Sequence, residues 1–301
     1  MRYWLVVLMF VSAAQAAPKF ELLDGDRVVF IGNTFAERDI QYNYLETLLT
    51  AQWPNRNVTF RNMGWSGDTV FVPARAGSGP NKGIDLLVDY VKDLRPTVLF
   101  VVYGMNESFE GEAGLSRFVD GYNKLLDALA VTKARVVLIS PIPHQKLGPP
   151  LPDPAEHNKQ LKMYTEAIGK IAGERGAWFV NLFEPMQTFM DQFPMTDNGI
   201  HLNANGYWIA SRLTLTQLGI DAKARLELDH QDRFVDENLE KLRQVIGQKN
   251  IFFFDRYRPQ NDMYIFHGRK HEQGRNAVEI PQFDQFIEAK EAEIAKLKRV
   301  K

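Results

Sequence analysis

The sequence predicts an α/β fold: a mainly parallel sheet with helices on both faces. Two observations carry this. Short apolar runs rich in β-branched residues recur, at 27–31 (RVVFI), 97–103 (TVLFVVY) and 135–139 (RVVLI). Between them lie stretches whose apolar residues repeat at helical spacing. A strand that is apolar on both faces belongs to a sheet covered twice, and strict strand–helix alternation calls for parallel crossovers.

Arg27 to Ile31 is the first strand, stopped by Gly32 and followed by Asn33 and Thr34. Phe35 to Trp53 carries Ile40, Tyr44, Leu45, Leu48 and Leu49 at helical spacing and reads as one helix ending before Pro54. Val58 to Met63 alternates as a strand and enters Gly64-Trp65-Ser66-Gly67-Asp68-Thr69. Phe71 to Lys82, rich in Gly and Pro, reads as a loop, and Ile84 to Leu94 as a helix. The strand from Thr97 ends at Gly104-Met105-Asn106-Glu107-Ser108, and Gly114 to Ala130 follows as a helix. After the strand at Arg135, the proline-rich loop 141–154 leads to a helix started by Asp153 and Pro154 and stopped by Gly176. Trp178 to Leu182 is a fifth strand. A short helix, the stretch 196–207 (TDNGIHLNANGY) and a helix to about Leu218 complete the alternation. Residues 221–301 form an extension: a charged helix near Phe234 to Ile246, a separate aromatic run Ile251 to Tyr257, and a helix from Phe283.

The chain has 301 residues, a formal charge of -1 and no cysteine. Near-neutral charge offers no case for a nucleic-acid partner or an anionic membrane surface. Without cysteine there is no disulfide framework, thiolate nucleophile or zinc-thiolate site. Residues 1–16 read as an export signal: Arg2, an apolar stretch from Tyr3 to Val11, then Ala14-Gln15-Ala16. The apolar stretch is too short for a stable membrane anchor. The expectation is a periplasmic or secreted protein, with residues 17–220 as its main domain.

A hydroxyl above a strand end and beside a helix N-terminus is a candidate nucleophile, though Thr34 also has the makings of a plain helix cap. Acyl transfer needs such a hydroxyl, a base and donors for the developing oxyanion. Thr34 and His201 could be the first two. The Gly67 amide and the Asn106 side chain could be the donors. The ordered set Gly32-Asn33-Thr34, Gly67, Asn106 and His201 resembles the four blocks of the SGNH, or GDSL-type, hydrolase family over roughly 27–218. That resemblance implies a three-layer α/β/α domain with a five-stranded sheet in flavodoxin-like order. It also implies an ester hydrolase that needs neither metal nor organic cofactor, with a small-molecule or carbohydrate ester as substrate.

Two positions depart from the family pattern. Thr34 stands where the family has serine, and its extra methyl stiffens the side chain and crowds the attack path. The family's acid lies three residues before the histidine, where this chain has Asn198. The expectation is that Gly199 lets the loop turn Asp197 inward to orient His201. The alternative is a non-catalytic binding module that keeps the cleft. Asn33, Glu107 and Arg75 are candidate substrate contacts. Ser66, in a sequence like a nucleophile elbow without its last glycine, is expected to order its loop instead. His144 is expected at the surface. His267 and His271 are four apart, but Gly268 argues against a helical metal pair. The stretch 256–284 either recognises a sugar or ties the extension to the core.

Overall fold

The structure, a computed structural model, describes residues 19–75, 82–221, 227–258, 269, 271–272 and 276–299. Residues 1–18, with the expected export signal, and His267 lie outside that set. Five strands form one sheet: β1 (Arg27–Gly32), β2 (Thr59–Asn62), β3 (Val98–Val102), β4 (Arg135–Ile139) and β5 (Trp178–Val180). They are ordered β2-β1-β3-β4-β5 and all neighbours are parallel. This is the flavodoxin-like order, and it places Gly32 beside Val102 at the carboxyl ends of β1 and β3.

Alternation along each strand sends its residues to two cores. Val28, Phe30, Val98, Phe100, Val137 and Ile139 face one layer, which holds α2 (Tyr44–Gln52), α6 (Phe183–Met190) and α7 (Ala204–Gln217). Val29, Ile31, Leu99, Val101 and Leu138 face the other, built from α3 (Lys82–Leu94), α4 (Gly111–Leu129) and α5 (Ala155–Arg175). The helices bury Leu87, Phe118, Leu125 and Ile168 on one side and Leu48, Met186 and Trp208 on the other. Among the described residues no helix is long and apolar enough to cross a membrane.

Two element boundaries differ from the sequence reading. The single helix expected over 35–53 is two, α1 (Thr34–Asp39) and α2. Asn43 breaks it by adopting a left-handed conformation at φ 59°, which asparagine tolerates better than most residues, and its Nδ2 donates to the Ile40 carbonyl at 2.8 Å. In the extension, the charged helix and the aromatic run are one helix, α8 (Glu237–Tyr257). Asp236 caps it by accepting from the amides of Asn238 and Leu239, and the aromatics continue its helical spacing. The last helix, α9 (Phe283–Leu297), lies against α8.

Helix α8 runs along the edge strand β2, where it meets a buried polar knot. Lys249 is fully buried; its Nζ donates to Glu46 of α2 and, at 3.1 Å, to the Phe60 carbonyl on β2. Asn250 donates to Glu46 at 2.8 Å and to Asn43 at 2.7 Å. Burial pushes the Glu46 carboxyl upward, against the opposing pull of Lys249 and Asn250. Removing one partner of such a pair strands the other charge in a dry interior. Lys249→Ala should therefore cost ~3–5 kcal/mol in urea unfolding. Lys170→Ala, which removes an exposed pair with Glu174, should cost about 1 kcal/mol or less.

Candidate active site

The loops after β1 and β3 diverge from adjacent strands, and the other site residues gather around that gap. Asn33 follows β1 directly and is the true cap of α1: its Oδ1 accepts from the Phe35 amide at 3.0 Å. Thr34 is left as the first helical residue, with its hydroxyl free of capping. Asn33 itself is buried, and it lines the same small cavity as Thr34.

Thr34 Oγ1 accepts a hydrogen bond from the Gly67 amide at 3.2 Å. Gly67 has φ +77°, and a Cβ there would meet nothing within 4 Å, so backbone conformation rather than space calls for glycine. Asn106 lies beside this turn and donates from Nδ2 to the Asp68 carbonyl at 2.8 Å, which leaves its second amide proton uncommitted by that bond. Thr34 and His201 share one small cavity of about 20 Å³, lined also by Val102, Met105, Ile142 and Tyr207. Thr34, Gly67, Asn106 and His201 thus sit at one end of the sheet. A larger cavity of about 280 Å³ lies elsewhere, between α3, α8 and α9.

The histidine loop differs from expectation. Gly199 is left-handed at φ +85°, yet Asp197 does not turn inward. Its carboxylate pairs with Arg38 Nη2 at 2.7 Å, and its amide donates to the His201 carbonyl. Asn198 faces the imidazole instead. Its Oδ1 accepts from the amides of Ile200 at 3.1 Å and His201 at 2.9 Å, which fixes which way the side-chain amide points. Its Nδ2 lies 3.2 Å from His201 Nδ1 and can only donate. Nδ1 is therefore the acceptor, and the ring proton of neutral His201 sits on Nε2. Burial and the Arg38 charge lower the His201 pKa, partly offset by Asp197. Both effects favour the neutral ring.

Glu107 opens the short 3-10 helix Glu107–Glu110 and is buried; its two oxygens accept from the amides of Val70 at 2.8 Å and Gly104 at 2.9 Å. It ties the Gly67 loop to the Asn106 loop. Ser66 donates from Oγ to Glu37 Oε1 at 3.0 Å, ordering its loop as anticipated. Arg75 ends the short 3-10 turn Pro73–Arg75, and its side chain lies outside the described residues. His144 is buried, not superficial; its ring packs at 4.7 Å from His157, and burial with the nearby His157 and His201 lowers it to about 4. Glu37 and Arg38 escaped the sequence reading. The available signal was their spacing, three and four residues after Thr34, which puts them on its helix face.

A family model described as the GDSL-like lipase/acylhydrolase family matches residues 30–209. No curated protein gives a significant sequence match. Among solved structures, BT4096, a gut microbial diltiazem-metabolizing enzyme, is similar with a TM-score of 0.54 at 22% identity. That match covers 69% of this chain and 49% of BT4096, so the chain spans about half the length of that relative. A catalytic mutant of Axe2, an acetylxylan esterase from Geobacillus stearothermophilus, is similar with a TM-score of 0.52 at 18% identity, over 68% of this chain and 100% of that one. LAE5, an alpha/beta hydrolase from the metagenome of Lake Arreo, Spain, is similar with a TM-score of 0.50 at 19% identity, over 66% and 97%. At such identities the likeness is one of fold.

The Glu107 tie has a pH signature. Burial raises its carboxyl from 4.5 to about 7. Between those values the native state holds a proton that the unfolded chain has lost, so this group's stabilisation is full below about 4.5 and is lost as pH rises through about 7. Relative to Glu107→Gln, the wild-type protein should lose on the order of 3 kcal/mol of stability between pH 4.5 and 7.5. Urea unfolding of both proteins across that range checks it.

Proposed function

The chain belongs to the GDSL-like lipase/acylhydrolase family, and from that premise we propose that it hydrolyses esters of small acyl groups, acetyl above all, carried on a carbohydrate or another polar alcohol. The observation that carries this reading is that Thr34, whose hydroxyl accepts from the Gly67 amide at 3.2 Å, lines one small, mostly apolar slot together with His201. A slot of about 20 Å³ accepts a methyl-sized group and excludes a long acyl chain. The acetylxylan esterase among the structural relatives favours the same substrate class. The export signal read from residues 1–16 suits an ester outside the cytoplasm.

In the reaction, Thr34 Oγ1 attacks the ester carbonyl and its proton passes to His201 Nε2. The oxyanion accepts from the Gly67 amide and Asn106 Nδ2. The alcohol leaves with the proton from His201, and water repeats the sequence to free the acid. Asp197 acts on His201 only as a nearby charge. The obstacle is the tautomer. To accept a proton at Nε2, His201 must first move its own proton to Nδ1, which sets two donors, Nδ1–H and Asn198 Nδ2–H, against each other. Thr34 adds a methyl on the attack side. The chain is thus proposed as a slow esterase.

The same Asn198 contact favours a second reading, a cleft that holds an ester or sugar oxygen without cleaving it. His201 Nε2–H would then be a donor to the ligand. Acetate release from 4-nitrophenyl acetate and from acetylated xylo-oligosaccharides separates the two. Wild type should turn over slowly, His201→Ala should fall to the uncatalysed rate, and Asn198→Asp should gain about 10²–10⁴-fold, the reverse of the loss when a serine-protease triad exchanges Asp for Asn. Silence from both wild type and Asn198→Asp, with binding of the acetylated oligosaccharide retained, would leave the binding reading standing and end the hydrolytic one.

A further inference from the structure

The turn that carries Gly67 is held from the far end of the chain. Arg258 follows α8 directly, and its guanidinium lies over the Trp65 ring at 3.9 Å from the centroid. The same guanidinium donates to Glu37 Oε2. Glu37 in turn accepts from the Ser66 amide at 2.7 Å and, through its other oxygen, from Ser66 Oγ at 3.0 Å. Tyr257 meets Trp65 edge-on, with centroids 6.2 Å apart. From below, the Trp65 amide donates to the Gly32 carbonyl at 2.9 Å. The next amide after Ser66 is that of Gly67, whose direction therefore depends on where Ser66 is pinned.

We propose that Arg258 is a positioning residue of the acyl site: by clamping Glu37 and Trp65 it aims the Gly67 amide, so that the segment after residue 220 completes the oxyanion donor set. The chemistry of the clamp is specific to arginine. A planar guanidinium can stack on an indole face and bond a carboxylate in its own plane at once, whereas a lysine ammonium satisfies the carboxylate but stacks poorly. Both Glu37 and Arg258 are about one-fifth exposed, so the pair is shielded enough to hold its geometry without the full cost of a buried ion pair. Glu37 cannot do this alone. Without a cation its carboxylate would face two Ser66 donors while free to follow solvent, and the turn would lose its outer wall. The extension thereby joins the part of the cleft that must be rigid, because a donor displaced by about 1 Å loses most of its effect on a transition state.

This inference rests on reading Gly67 as an oxyanion donor, so its test needs an arm that does not depend on turnover. In the full chain, Arg258→Ala, Arg258→Lys and Arg256→Ala are compared by hydrogen exchange of the peptide spanning 64–69 and by acetyl ester kinetics. Arg256 is the control: it sits two residues earlier and pairs with Asp284 at 3.1 Å. Arg258→Ala should speed exchange at Ser66 and Gly67 several-fold while β1 and β3 keep wild-type protection. Its kcat should fall by about 10- to 100-fold with KM little changed. Arg258→Lys should lie between, and Arg256→Ala should match wild type in both assays. Unchanged exchange at 64–69, a rise spread evenly over the chain, or an Arg256→Ala effect equal to that of Arg258→Ala would each overturn the proposal. Should wild type cleave no ester, the exchange arm still decides the clamp, and the failure belongs to the hydrolytic reading alone.

Discussion

The pairing of β3 with β1, instead of with β2, is the constraint on which the site depends. The chain leaves β1, adds β2 on one side, then crosses back to lay β3 on the other. Loops from neighbouring strands β1 and β3 must therefore part in opposite directions, and a crevice opens between them at the carboxyl edge. Thr34 stands on one lip and Asn106 on the other. The register that puts Gly32 beside Val102 brings the two lips level. Nothing in either loop needs to encode the crevice; the strand order supplies it.

What the loops do encode is rigidity, and they obtain it by spending polar groups on one another. Glu107 bonds two backbone amides from separate loops, Asn106 bonds the Asp68 carbonyl, and Glu37 bonds Ser66. Each contact satisfies a backbone group that an irregular loop would otherwise leave unpaired in a partly buried place. The cost is electrostatic. Glu107 is driven up to about 7. A carboxylate that holds two loops together is here kept close to neutral by the dry surroundings it helps to make. The knot of Lys249, Glu46 and Asn250 follows the same logic on the opposite flank, where it fixes α8 along the edge of β2 and removes an exposed strand edge.

The histidine loop shows how one oxygen-to-nitrogen exchange can redirect chemistry without disturbing a fold. Asn198 keeps every backbone bond that a carboxylate oxygen would make there, because its Oδ1 accepts from two amides. Only the second atom differs, and that atom faces the imidazole. A carboxylate would draw the ring proton to Nδ1 and ready Nε2 as a base; the amide draws it to Nε2 and makes that nitrogen a donor. Asp197 cannot compensate, since Arg38 holds its carboxylate away from the ring. Arg38 also adds a positive charge near His201, which further disfavours the imidazolium.

The sequence by itself determined the sheet, its parallel sense and the identity of the four residues at its carboxyl edge. Those follow from local rules: continuous apolar runs for doubly covered strands, turn residues at their ends, and a spacing of motifs that matches the family. Patterns of that kind cannot see conformations that one residue adopts against its neighbours. The left-handed Asn43 split an evenly spaced helix in two, and the aromatic run after Ile251 joined its helix because nothing in it breaks one. Direction of side chains was the larger gap. Gly199 was rightly suspected of an unusual backbone, but whether Asp197 or Asn198 then met the imidazole depended on Arg38, which lies 159 positions from Asp197 in the chain. His144 was read as a surface residue, yet it is buried in the fold. Only the tertiary structure could decide these, because each is settled by a partner that the chain delivers from a distant strand end.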